Sequence, residues 1–268
     1  MTFTSPLVDI GANLTHDSFH SDLPTVIRQA RSVGVLQMVV TGASFEGSVA
    51  ATKLADDYPE TLTATAGVHP HHAKDWTKQG AKELYECAQH PKIVAAGECG
   101  LDYFRNFSTP EEQAYAFEAQ LDMAADLKLP VFLHQRESIK PFLDILDRYL
   151  DKLPKAVAHC FTDTESALDA LLERDLYVGI TGWICDERRG HHLRDLVGRI
   201  PANRLMIETD APYLLPRDLK PKPKSRRNEP RFLPHIAKVV AECVDKSPDQ
   251  LALESTTTAR EFFGLEAT

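Results

Sequence analysis

Ile93-Val94-Ala95-Ala96-Gly97-Glu98 is the stretch on which the reading of this chain turns. A short run of small and β-branched residues passes directly into a carboxylate. Such a run reads as a buried parallel strand. Three others share the pattern: Val131-Phe132-Leu133-His134, Ala156-Val157-Ala158-His159 and Leu205-Met206-Ile207-Glu208-Thr209-Asp210. Parallel strands point the same way, so their last residues meet at one end of the sheet. Glu98, His134, His159 and Asp210 can therefore share a site although they lie far apart in sequence.

Working outward, eight strand candidates emerge, at 7–10, 36–41, 62–67, 93–97, 131–134, 156–159, 177–180 and 205–209. Segments with apolar residues at spacings of three and four lie between them, clearest at 23–33, 81–88, 111–127, 139–149, 165–173, 192–197 and 232–244. Ser108-Thr109-Pro110-Glu111-Glu112 has the marks of a helix start: a capping hydroxyl, proline in the first turn and early carboxylates. Strand–helix alternation repeated eight times predicts an α/β fold of the (β/α)8 TIM-barrel type. An open doubly wound sheet shares the alternation, but repeating units of similar length favour closure. No Gly/Ser-rich linker divides the chain, so residues 1–268 read as a single barrel domain. The tail 232–264 is expected to supply the eighth barrel helix and a final short helix.

Barrel active sites lie at the C-terminal ends of the strands. Strand 3 is followed by Val68-His69-Pro70-His71-His72, strands 4 to 6 by Glu98, His134 and His159, and strand 8 by Asp210. Strand 1 leads into Gly11-Ala12-Asn13 and strand 7 into Thr181-Gly182-Trp183. The opposite strand ends carry none of this chemistry.

Two imidazoles and two carboxylates suit a divalent cation with positions left open for water and substrate. Such an ion lowers the pKa of bound water and stabilises charge on a phosphoryl or carbonyl oxygen, so the reaction class is hydrolysis. A single strand-end histidine is more often a hydrogen-bonded structural group; the four residues together point to a metal. His69 and His71 alternate in an extended segment and could face one ligand, although Pro70 equally suits a structural turn. Arg136 lies two residues after His134 and could grip a phosphate or sit in a rim salt bridge. Cys99 and Cys160 read as small buried residues rather than nucleophiles. His72, His90, His191 and His192 read as surface residues, and His16, His20 and His235 carry no evident role.

The 268 residues are 43% hydrophobic and 26% charged, the composition of a soluble globular protein. No apolar run approaches a membrane span, and the N-terminus has no basic segment leading into an apolar core, so neither a membrane anchor nor a secretory signal is expected. Five cysteines without a CxxC pair read as reduced cytosolic thiols. The net charge of −9 argues against adhesion to nucleic acid over the whole surface. A local exception runs from Arg217 to Arg231, where Arg217, Lys220, Lys222, Lys224, Arg226, Arg227 and Arg231 are offset only by Asp218 and Glu229. Its prolines make it an extended loop. Beside a metal site it points to a polyanionic substrate, with Arg226 and Arg227 among the phosphate contacts. Arg188 and Arg189 could add to the same rim.

Glu98-Cys99-Gly100-Leu101-Asp102, Gly67-Val68-His69-Pro70-His71, His159-Cys160-Phe161-Thr162 and Glu208-Thr209-Asp210-Ala211-Pro212-Tyr213-Leu214 resemble the signature segments of the TatD family of metal-dependent deoxyribonucleases. Asn106-Phe107-Ser108-Thr109-Pro110, the segment 182–190 and Ser225-Arg226-Arg227-Asn228-Glu229-Pro230 extend the same resemblance. It implies a TIM-barrel hydrolase related to the amidohydrolases. It also implies a cytoplasmic, Mg2+-dependent 3′–5′ exonuclease, with Zn2+ or Mn2+ as substitute ions, acting on single-stranded DNA or RNA and linked to DNA repair. By position, Glu98, His134, His159 and Asp210 match metal-site residues, His69 and His71 match residues near the scissile phosphate, and Arg136 matches a substrate-phosphate contact. A monomer is expected.

One departure is clear. Many members of that family carry a His-x-His pair after strand 1, and here Gly11 and Asn13 stand at those positions. One ion is therefore expected on Glu98, His134 and His159, with a second near Asp210 weak or arriving with substrate. Glu98 and Asp210 are the expected catalytic carboxylates, Asp210 by orienting the attacking water or taking its proton. The rival readings are an amidohydrolase or ester hydrolase, such as an aminoacyl-tRNA-type deacylase, on the same barrel, and a nucleic-acid-binding barrel without catalysis.

Overall fold

The computed structural model describes residues 4–267. Eight strands form one sheet in chain order, parallel at the registered pairs. They are β1 (Leu7–Ala12), β2 (Val35–Val40), β3 (Leu62–Ala66), β4 (Ile93–Asp102), β5 (Val131–Arg136), β6 (Ala156–Ala158), β7 (Tyr177–Ile180) and β8 (Leu205–Ile207). A parallel bridge between Ala12 and Ala211 joins the two ends of that order. Helices follow each strand in turn: α1 (Leu23–Ser32), α2 (Phe45–Asp57), α3 (Lys78–Ala88), α4 (Pro110–Leu127), α5 (Ile139–Leu146), α6 (Glu165–Leu172), α7 (His191–Leu196) and α8 (Leu233–Cys243), with α9 (Pro248–Phe263) last. This is the (β/α)8 barrel that the alternation predicts. By internal contacts the chain falls into two compact units, one comprising Val40–His159 and Asp169–Tyr177, the other the remainder.

In the unit that begins at Val40, strands β3 to β6 pack under α2 to α5. Phe117, Leu121, Phe132, Phe142, Leu62 and Leu101 are fully buried, and the rings of Phe117 and Phe142 stack at 5.4 Å. Each such side chain contributes about 1.5–3 kcal/mol by leaving water. The longest helix of the unit, α4, begins where the capping signals predict. Thr109 accepts from the backbone N–H of Glu112, and the Glu112 carboxylate accepts from that of Thr109. Its inward face is not wholly apolar. Gln113 and Gln120 stand two turns apart and both are buried. Gln120 accepts from Val68 N–H at 2.7 Å and donates to Val68 C=O at 3.0 Å. Gln113 does the same for Asp102, accepting at 2.8 Å and donating at 3.2 Å. One helix thereby clamps the backbone leaving β3 and the last residue of β4.

The sequence places the end of β4 at Gly97, but the strand runs on to Asp102. Ala96 pairs with Val131, and Cys99 then pairs with Leu133, so β4 carries one extra residue across Gly97–Glu98. That is a β-bulge, a device that re-aims a side chain within a strand. Glu98 is thus a bulge residue rather than a strand terminus, and His134 lies inside β5 rather than at its end. Gly100 opposes His134, and a Cβ on Gly100 would sit 1.9 Å from the His134 carbonyl oxygen. Glycine alone permits that register.

In the other unit β7 pairs with β8, and α8 and α9 cover β1 and β8. The final helix is long, sixteen residues rather than the short one expected. Helix α2 carries no clear apolar stripe because its buried face is Ser48, Ala51, Thr52 and Ala55.

Candidate active site

Glu98 is the hub of the unit that contains β3 to β6. Its Oε1 lies 2.7 Å from Nε2 of His159, 3.0 Å from Nδ1 of His134 and 3.3 Å from Nε2 of His69. All four side chains are largely buried. The Glu98 backbone N–H donates to Gly42 C=O at 2.7 Å, which fixes the bulge from below. Burial pushes the Glu98 carboxyl up, but the surrounding imidazoles outweigh it, through electrostatic interaction with His159 and then His69 and the hydrogen bonds of His134 and His159, and hold the group well below the usual carboxylate range.

The three imidazoles are not equivalent. Nδ1 of His69 accepts the backbone N–H of His71 at 3.0 Å, so its ring proton sits on Nε2. Burial, partly offset by Glu98, lowers the His69 pKa to about 4, leaving the ring neutral. A nitrogen that carries a proton donates; it does not coordinate. His69 is therefore a hydrogen-bond donor aimed into the site, although its Nε2 clusters with Glu98 and His134 as tightly as a ligand would. His134 has the opposite arrangement. Its Nδ1 faces Glu98, and its Nε2 lies 3.3 Å from Oδ2 of Asp102. Burial pulls its pKa down, but the bonds to Asp102 and Glu98 prevail and raise it.

Asp102 is the residue that sequence reading underrates, since it appears there only as the last letter of a motif. It is 1% exposed. Its Oδ1 accepts the backbone N–H groups of Phe104 and Arg105 at 3.0 and 2.8 Å, and its Oδ2 faces His134 and His71, the latter at 2.8 Å. Burial opposes ionisation, but the bonds to His134, His71 and Arg105 keep the carboxyl far below its usual range. A buried carboxylate behind a ligand histidine fixes ring orientation and tautomer. The signal that could have found it is the position four residues after Glu98, on the same face of a strand.

The donor atoms of His69, Glu98 and His134 lie within 4.8 Å of one another, a carboxylate-and-imidazole set suited to a divalent cation, with Asp102 behind His134 and His159 Nε2 joining the group through Glu98 Oε1. Around it, the Arg136 guanidinium lies over the ring of Phe104 at 3.9 Å. Phe107 packs edge-on against His71 at 4.7 Å. Phe104 and Phe107 are about half exposed, at 48% and 56%.

The second unit holds the remaining sequence-read residues. Asp210 accepts from Asn13 Nδ2 at 2.9 Å, so the Asn13 position offers a donor to the carboxylate rather than a further ligand. Arg227 pairs with Asp22 at 2.9 and 2.7 Å and with Glu229 at 2.9 Å, and its guanidinium lies over Phe19. It holds the basic loop down, whereas Arg226 is exposed. Asn228 anchors the same loop by donating to Thr209 C=O at 2.8 Å. Arg188 and Arg189 both lie against Asp186, at 3.5 and 3.2 Å. Two buried acids escaped the sequence reading. Glu208 accepts the Cys160 N–H at 2.6 Å, and Asp9 accepts the Thr209 N–H at 2.9 Å and the Thr209 hydroxyl at 2.5 Å. Burial drives the Asp9 pKa up to about 7, despite the Thr209 hydrogen bonds.

A (β/α)8 barrel with imidazoles and carboxylates converging on a bulge in β4 and in the C-terminal halves of neighbouring strands defines the class of metal-dependent hydrolases. Within that class the chain belongs to the TatD related DNase family, whose profile matches residues 8–264. Relatives include the 3'-5' ssDNA/RNA exonuclease TatD of Erwinia tasmaniensis and that of Edwardsiella piscicida. Each is 52% identical over 259 residues, 97% of this chain and 100% of the relative. A TatD-family hydrolase from Entamoeba histolytica superposes with a TM-score of 0.88 at 26% identity, over 98% of this chain and 99% of that one. A TatD homologue from Escherichia coli shares the fold, with a TM-score of 0.88 at 24% identity over 97% and 98% of the two chains. Among the described residues no helix is long and apolar enough to cross a membrane.

Proposed function

We propose that this chain is a metal-dependent nuclease that removes nucleotides from the 3′ end of single-stranded DNA or RNA. The observation that carries the reading is the Glu98 hub: one buried carboxylate oxygen with three imidazole nitrogens about it, bordered by Arg136 and two exposed phenylalanines. The names of the relatives at half identity support the same substrate class.

Glu98, His134 and His159 would hold the ion, which supplies a polarised water and charge neutralisation at a phosphoryl oxygen. We take Mg2+ as the working ion, weakly held and rich in water. The imidazoles also suit Mn2+ or Zn2+. His69 donates its Nε2–H to a non-bridging phosphate oxygen. His71, braced on Asp102, lines the same edge. Arg136 pairs with a neighbouring phosphate, and Phe104 and Phe107 offer faces on which unpaired bases stack. Single strands expose those faces and duplexes do not. Asp210, on the strength of the motif Glu208-Thr209-Asp210, is assigned the proton of the attacking water. Arg226 takes substrate phosphate, and Arg227 serves by fixing the loop. A single domain fits the one family profile that runs through it, and a cytoplasmic location fits five cysteines none of which is in a disulfide.

A 5′-labelled single-stranded DNA and its RNA equivalent, incubated with Mg2+ with and without chelator, test the reading on wild type and Glu98→Ala. A ladder that shortens from the 3′ end, present only for wild type with metal, is expected. Equal cleavage in all eight reactions rejects it, as does turnover confined to small amides or esters in a parallel panel.

A further inference from the structure

The second unit brings together three side chains that the nuclease reading does not use. Cys185 ends the 3-10 turn Gly182–Cys185 that follows β7, Asp218 lies in the basic loop after β8, and His235 stands in the first turn of α8. One donor atom from each lies within 4.8 Å of the other two. The Cys185 sulfur is fully buried and free, while Asp218 and His235 retain 32% and 27% side-chain exposure. Nε2 of His235 lies 2.6 Å from Oδ1 of Asp218. Arg194 approaches the other Asp218 oxygen only loosely, at 3.9 Å, and its Nε is committed to the Ile184 carbonyl at 3.1 Å. Oδ1 of the carboxylate thus faces the histidine.

We propose that Cys185, Asp218 and His235 form a second cation site, selective for a borderline-soft divalent ion such as zinc. Sulfur, imidazole nitrogen and one carboxylate oxygen are a zinc-type donor set, and they are the wrong set for magnesium. A cysteine–histidine nucleophile is the other chemistry such a trio suggests. It is excluded by the sulfur, which no substrate can reach at 0% exposure. A bare ion can enter along the exposed edges of Asp218 and His235, with water filling a fourth position. The ion takes the place of the proton between His235 Nε2 and Asp218, and the His235 ring then carries its single proton on Nδ1. The thiol proton of Cys185 is released to solvent, and no electron is transferred. The three ligands come from three separate segments, so an ion here staples the basic loop to α8 and to the turn after β7. The assignment stands independently of the nuclease reading.

Cobalt(II) titration of the metal-stripped protein tests it, because only a thiolate ligand gives an intense near-ultraviolet sulfur-to-cobalt absorption. That band is expected in wild type, saturating at one ion per chain, and equally in Glu98→Gln, where the hub is impaired. It is expected to vanish in Cys185→Ser and to need at least about ten-fold more cobalt in His235→Gln, by the usual weight of a lost partner at a metal site. Circular dichroism reports whether each variant is folded. If Cys185→Ser fails to fold, His235→Gln, which keeps the sulfur, decides alone. No band in wild type at saturating cobalt, a band that survives in folded Cys185→Ser, or an unchanged titration midpoint in His235→Gln overturns the proposal.

Discussion

Nε2 of His134 lies 3.3 Å from Oδ2 of Asp102 while its Nδ1 lies 3.0 Å from Oε1 of Glu98. One imidazole thus spans two buried carboxylates, and its tautomer is set from behind. Asp102→Asn keeps the size of the side chain but puts a neutral amide behind the ring. Affinity for Mn2+, measured by calorimetry, is expected to fall about 10–100-fold, with nuclease activity following it. Unchanged affinity would mean that Asp102 only ties down the Phe104–Arg105 turn.

Asp9 gives a stability signature in pH. Its carboxyl ionises near the ordinary 3.8 in the unfolded chain and near 7 in the fold, chiefly because it is buried. Its contribution to folding is fully present below pH 3.8, declines as pH rises and is lost above about 7. Asp9→Asn stays neutral throughout. Urea unfolding of the two proteins from pH 4 to pH 8 is therefore expected to diverge in favour of the variant, by on the order of 4 kcal/mol across the window. Parallel curves would show that Asp9 is ionised in the fold.

Arg226 and Arg227 are neighbours with opposite expected phenotypes. Arg227→Ala takes from Asp22 its paired cation and leaves the nearly buried Glu229 with Arg231 alone, and should cost about 2 kcal/mol in thermal or urea unfolding. Arg226→Ala should leave stability within about 0.5 kcal/mol. It should instead reduce the slope of log affinity for single-stranded DNA against log salt by about 0.7. The same salt slope in wild type and Arg226→Ala would remove Arg226 from the substrate surface.

Gln120→Leu preserves bulk but abandons both backbone groups of Val68, the residue just before His69. Leaving a buried N–H and C=O unpaired should cost roughly 3 kcal/mol, visible as a lower urea midpoint. Because the same clamp sets where His69 begins, the substrate KM should rise as well. A stability loss with KM unchanged would limit Gln120 to packing.

The alternation of strands and helices was legible because burial on both sides makes parallel strands uniformly apolar, as in Val131-Phe132-Leu133. Helix α2 was not, because small and hydroxylic residues fill its inner face. Glu98, His134 and His159 could be read as a group, since their chemistry is unusual next to apolar runs. The division of labour among the imidazoles could not be. It depends on which ring nitrogen meets a backbone N–H, as in His69, and on a bulge that no composition reveals. Asp102 and Asp9 were passed over for a related reason. Their importance comes from partners 32 and 200 positions away, which only the fold brings near.

The register at Gly100 bears on how this protein can change over generations. The obstacle facing a side chain there is the main-chain carbonyl of His134, which every amino acid possesses. No compensating substitution at 134 can therefore make room, and a lineage that loses this glycine has no neighbouring mutation with which to recover. The spacing of Glu98 from His134 is thus shielded from gradual drift: it is inherited whole or lost in one step.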